Sequence, residues 1–115
     1  MAENKVLTGR CHCSSITYEV NGEIIDTSYC HCRACQRASG TFKVPFVTVH
    51  PGDFKFITGK PNTFRSSSGD PCDVYGQWYF CQNCGTHIYW ESNDNGDLTI
   101  FAGTIDDFEV FQDQD

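Results

Sequence analysis

Residues Phe80–Gly85 read "FCQNCG". Two cysteines separated by two residues and followed by glycine make the turn of a zinc knuckle. The backbone N–H groups point at the sulfurs, and Gly85 supplies the permissive φ that the turn needs. One knuckle offers two sulfurs, whereas a tetrahedral ion takes four. The stretch "GRCHCS" (Gly9–Ser14) offers two more, Cys11 and Cys13. Joining the pairs ties an N-terminal strand to a late hairpin. Four thiolates leave no open position on the ion, as a structural site requires.

A second cluster stands in "YCHCRACQRASG" (Tyr29–Gly40), where Cys30, Cys32 and Cys35 are close in sequence. The remaining cysteine, Cys72, lies in the turn-rich "SSSGDPCDV" (Ser66–Val74). Two arrangements stay open. In one, Cys72 completes a second closed site. In the other, three cysteines hold the ion and the fourth position is left for water or substrate. A lone cysteine is more often a small buried residue than a ligand, which favours the open site.

The chain has 115 residues, which fits one domain over 1–115. Its formal charge is −7, with 15 acidic residues against 8 basic, so its field repels nucleic acid and anionic membrane surfaces. There is no apolar run long enough for a transmembrane helix. "MAENKVLTGR" lacks the apolar core of a secretion signal, so the expected location is cytoplasmic. In that compartment structural disulfides are rare, and 8 cysteines in such short spacings are expected to bind metal.

The pattern around the cysteines is mostly β. "SITYEV" (Ser15–Val20) alternates and ends at the turn signal Asn21–Gly22. "VPFVTVH" (Val44–His50) turns at Pro51–Gly52 into "DFKFITG" (Asp53–Gly59). "VYGQWYFC" (Val74–Cys81) and "THIYWES" (Thr86–Ser92) flank the knuckle, and "NDNGD" (Asn93–Asp97) closes a hairpin into "LTIFAGT" (Leu98–Thr104). Only Cys32–Ser39 reads as a helical turn. The expected class is all-β, with that short helical turn at the second cysteine cluster. The tail "DDFEVFQDQD" reads as a solvated end.

The segments "GRCHCSSITYEV", "YCHCRACQRASGTF", "FRSSSG", "YFCQNCGTHIYW" and "FAGTIDD" occur in this order over nearly the whole chain. In them the sequence resembles the glutathione-dependent formaldehyde-activating enzymes, a family also named for centromere protein V. The resemblance implies a β-tent fold stapled by zinc. It implies a structural zinc on Cys11, Cys13, Cys81 and Cys84, and a catalytic zinc on Cys30, Cys32 and Cys35, hence two Zn²⁺ per chain. The family pattern has no ligand at Cys72. It usually carries a further aromatic segment after "GTIDD", where this chain has "FEVFQDQD".

The reaction implied is a carbon–sulfur lyase or synthase reaction, in which glutathione adds to formaldehyde or a related small aldehyde to give S-hydroxymethylglutathione. Three thiolates already offset the charge of Zn²⁺ and weaken it as a Lewis acid. The expected role of the metal is therefore to lower the pKa of the incoming thiol. Arg33, Arg37 and Lys43 follow the cysteines closely enough to pair with glutathione carboxylates, and Arg37, within "QRASG", is the foremost candidate. His12 and His31, each between two ligating cysteines, are expected to point away from the metal. His50 and His87 read as structural or exposed. The alternative function is a zinc-stapled β-tent interaction module without catalysis. A chromatin or cytoskeleton binder is disfavoured by the acidic charge.

Overall fold

The computed structural model describes residues 6–65, 76–92, 96–107 and 109–110. Cys72 and the tip of the Asn93–Asp97 turn lie outside them. Among the described residues nine antiparallel strands form two sheets. The first sheet, in the order β1-β2-β5, contains β1 (Val6–Arg10), β2 (Thr17–Asn21) and β5 (Phe54–Thr58). The second runs β3-β4-β9-β8-β7-β6. Its members are β3 (Ile24–Cys30), β4 (Val44–Val49), β6 (Asn62–Arg65), β7 (Gly76–Phe80), β8 (His87–Ser92) and β9 (Leu98–Phe101). One helix, α1 (Arg33–Ser39), follows β3, so the all-β class with a short helix at the second cysteine cluster is what is found.

Both turn signals near the middle of the chain bend it, but neither makes a hairpin. After Asn21 the chain passes from the first sheet to the second, and after Val49 it passes back. Strand-pattern reading finds such bends without telling which sheet the next strand joins. It leaves β3 and β6 unmarked. The side chains of β6 are all exposed and most of those in β3 are too, so neither strand shows a buried alternation.

β4 explains how the layers stack. Val47 and Val49 face the large core shared with Tyr18, Val20, Ile88 and Ile100. Val44 and Phe46 face the other way, into a smaller cluster with Ala34, Trp78 and Phe101. Pro45, which has no N–H to give, stands where β4 is paired with β3 alone. The second sheet is thus covered by the first sheet on one face and by α1 with the second cysteine cluster on the other. Each buried aliphatic side chain contributes about 1.5–3 kcal/mol. The Tyr18 hydroxyl and Thr104 Oγ1, 2.6 Å apart and buried, join the first sheet to the turn after β9.

Candidate metal centres and the adjoining cleft

The first cluster sits in two hairpin turns, one from each sheet. Residues 11–16 link β1 to β2, and residues 81–86 link β7 to β8. The turns are closed alike: Cys11 N–H donates to Ile16 O at 3.1 Å, and Cys81 N–H donates to Thr86 O at 2.8 Å. Each also contains a left-handed residue just after its second cysteine, Gly85 at φ 82° and Ser14 at φ 72°. Glycine takes this conformation freely and serine does not. Ser14 Oγ is engaged there by Arg10 Nη1 at 2.6 Å.

The four sulfurs, Cys11, Cys13, Cys81 and Cys84, lie within 4.8 Å of one another. Cys11–Cys13 is 3.7 Å and Cys13–Cys81 is 3.8 Å. A tetrahedron with Zn–S of about 2.3 Å has sulfurs about 3.8 Å apart, so this donor set fits zinc. Neighbouring donors also favour the thiolate form. Hydrogen bonds from Ser15 and Asn83 bring the Cys13 thiol down to about 7, and bonds from the Thr86 hydroxyl and N–H bring Cys84 to about 5. Asn83 Nδ2 reaches Cys13 Sγ at 3.1 Å, and Thr86 Oγ1 is 3.2 Å from Cys84 Sγ. Ser15, Asn83 and Thr86 carry no signal in the sequence beyond standing next to ligands.

The second cluster is built where β3 meets α1. Cys30 ends β3, Cys32 caps the helix and Cys35 lies in its first turn. Gly40, at φ 81°, ends the helix and donates its N–H to Gln36 O. The three sulfurs lie within 4.8 Å of one another. Cys30 and Cys35 are free thiols only 2.9 Å apart, and Cys32 is disulfide-bonded. The donor set is soft and suits zinc, provided that Cys32 is reduced and the 2.9 Å pair opens by about 1 Å to the spacing of two ligands. All three cysteines pack against the Ala34–Val44–Phe46–Trp78–Phe101 cluster, which walls one side of the site with apolar surface.

The register of β7 and β8 slips by one residue between Tyr79 and Phe80, so Ile88 is extra in β8. This bulge turns His87 toward Trp78 and Phe101, with ring centroids 6.1 and 5.4 Å away. Trp90 meets Trp78 at 5.9 Å. Burial holds the His87 imidazole below its usual pKa. Its Nε2 and the Trp90 Nε1 are buried without a hydrogen-bond partner among the described residues.

The other candidates fall apart in space. His12 and His31 are exposed, and neither joins a metal cluster. His50 is exposed, with Nδ1 4.0 Å from Asp97. Lys43 Nζ lies 4.2 Å over the Tyr29 ring. Arg33 and Arg37, four residues apart on α1, line a groove of about 280 Å³ with Gln36 and the exposed Phe42. At about 100° per residue this helix face is roughly 160° from Cys35. A larger cleft of about 790 Å³ opens between the four-cysteine clasp and the end of α1. Ala38, Val44 and Phe101, which belong to the apolar cluster around the triad, also wall this cleft. Thr41 lines both the groove and the cleft.

No helix among the described residues is long and apolar enough to cross a membrane. The fold is similar to the crystal structure of a Rhodobacter sphaeroides protein, with a TM-score of 0.68 at 18% identity over 87% of this chain and 88% of that one. Residues 6–115 match the family described as glutathione-dependent formaldehyde-activating enzyme. With a match over nearly its full length, the chain belongs to the glutathione-dependent formaldehyde-activating enzyme family.

Proposed function

We propose that the protein is a carbon–sulfur lyase of the S-hydroxymethylglutathione synthase type, and that its reaction takes place at the triad. The observation that supports this reading is the gathering of three cysteine sulfurs beside an apolar wall, apart from a four-cysteine clasp that needs no further ligand. Cys30, Cys32 and Cys35 would hold the second zinc. Bound there, the metal supplies a site that keeps a glutathione thiol in its thiolate form at neutral pH. The chain's own part is to bind and to exclude water. Ala34, Phe46, Trp78 and Phe101 present apolar surface to the sulfurs. Arg33 and Arg37 offer guanidinium groups to a carboxylate at the neighbouring groove. Their pull acts at short range, whereas the field of a chain of charge −7 is screened over about 8 Å at physiological ionic strength.

Glutathione sulfur adds to the aldehyde carbon, the carbonyl electron pair moves to oxygen, and that oxygen takes a proton from solvent. The uncatalysed reaction is reversible, so two-dimensional exchange NMR reads both directions. Reduced, zinc-loaded protein is expected to accelerate exchange between formaldehyde and its glutathione adduct. The acceleration should disappear in Cys35→Ser and weaken in Arg37→Ala. Exchange at the uncatalysed rate with both metals bound would reject this chemistry and leave the interaction-module reading.

A further inference from the structure

The cleft beside the clasp is of a size that takes small ligands, which occupy pockets of about 300–1,000 Å³. Its walls Ala38, Val44 and Phe101 are apolar, and its charged groups are Arg10 and Asp106. Both are held in place. Arg10 Nη1 donates to Cys11 O and His12 O, each at 3.2 Å, and to Ser14 Oγ at 2.6 Å. These bonds use one nitrogen of a group that has donors on three. Asp106 Oδ2 accepts from Thr8 Oγ1 at 2.7 Å, and the Asp106 N–H donates to Thr8 O at 2.9 Å. Its Oδ1 takes no part in these bonds. Among the described residues neither Arg10 nor Asp106 is in an ion pair.

Their spacing follows from the backbone. Gly9 bridges Ile105, which sets Asp106 against Thr8. Thr8 and Arg10 are two residues apart on the exposed face of β1, about 7 Å along the strand. With no ion pair between them among the described residues, both charges remain for a ligand that carries the opposite pair. A group carrying a carboxylate and an ammonium on one carbon would fit between them, its carboxylate toward Arg10 and its ammonium toward Asp106.

We propose that Arg10 and Asp106 bind the zwitterionic α-amino-acid end of the substrate, which in glutathione is the γ-glutamyl end. This rests on the reaction proposed above and adds what selects the thiol. An extended tripeptide spans about 10 Å. With one end at Arg10 and Asp106, it crosses the Ala38–Val44–Phe101 wall shared with the triad, and the groove of Arg33 and Arg37 adjoins at Thr41. The clasp then has a second role, because the turn that carries Cys11 and Cys13 also anchors the arginine that reads the ligand.

S-methylglutathione separates binding from reaction, since it has no thiol to ionise or to add to an aldehyde. Titrated into the reduced, zinc-loaded protein, it is expected to shift the amide resonances of Arg10, Thr41, Thr86 and Asp106. N-acetyl-S-methylglutathione, which lacks the ammonium, should bind about tenfold more weakly, as expected for loss of a charge-assisted hydrogen bond. Asp106→Asn keeps an acceptor for Thr8. It should weaken S-methylglutathione by a similar factor and leave the acetylated compound unchanged, while Asp107→Asn should change neither. Equal affinity for the two compounds, or an Asp106→Asn change that weakens both alike, overturns the assignment. Catalysis with no binding of S-methylglutathione also overturns it. Binding of S-methylglutathione with this discrimination, but without catalysis of formaldehyde exchange, supports the cleft and rejects the reaction.

Discussion

Gly85 and Ser14 occupy equivalent places in the two turns of the clasp, and only one of them suits its conformation. Among the described residues, no atom beyond its chain neighbours stands within 4 Å of where a Gly85 side chain would begin, so a substitution there tests the backbone alone. Gly85→Ala is expected to lower stability by about 1 kcal/mol in denaturant unfolding, and Gly85→Asn by less, because asparagine tolerates the left-handed region. An unchanged midpoint in Gly85→Ala would mean that the turn relaxes out of that region. The glycine could be read from "CQNCG", whereas the matching strain at Ser14 could not, because serine is no marker of a positive φ. Arg10 and Asp106 are not legible as a pair for a different reason. They are 96 residues apart, and the Gly9–Ile105 bridge with its neighbouring Asp106–Thr8 bond brings them to one rim.

At the scale of elements, spacing alone partitions seven cysteines into the clusters that the structure assembles, because a short turn fixes where its own sulfurs can point. Spacing fails where the partner is remote. Arg33 and Arg37 stand close to the cysteines in sequence, yet helix geometry puts them on the far side of α1 from Cys35. That offset was already present in the two-residue spacing of each arginine from Cys35. The bulge at Ile88, which brings His87 and Trp90 to one face, leaves no trace in "THIYWES". Cys35 is half-buried at one edge of the second sheet's cover and ties no two sheets together. Cys35→Ser is therefore expected to abolish the second metal while changing the melting temperature by only a few degrees. Loading of that site should require reductant, because Cys32 is disulfide-bonded. Elemental analysis with parallel calorimetry reads both, and two metals in Cys35→Ser would show that the triad is not a metal site.

For the whole molecule, the clasp joins the turn of one sheet's hairpin to the turn of the other's, so it acts on the packing between sheets and not within either one. Tyr18 and Thr104 make a second tie nearby. A structural zinc contributes on the order of 10 kcal/mol to folding, comparable to the entire stability of a typical domain, about 5–15 kcal/mol. Cys81→Ser is accordingly expected to leave the chain without a cooperative melting transition, whereas Tyr18→Phe, which removes one buried hydrogen bond, should cost about 1–2 kcal/mol. Near-native melting of Cys81→Ser would refute the structural assignment. The proposed division, in which one site closes the fold and the other serves the reaction, predicts unequal loss of metal. The most direct measurement is a chelator titration of reduced, zinc-reconstituted protein, with bound zinc and thermal unfolding followed together. Two zinc ions are expected, one removed by mild chelation with the melting transition retained and the other released only as the protein unfolds. Saturation at a single zinc, or loss of both ions together with the fold, would contradict this division.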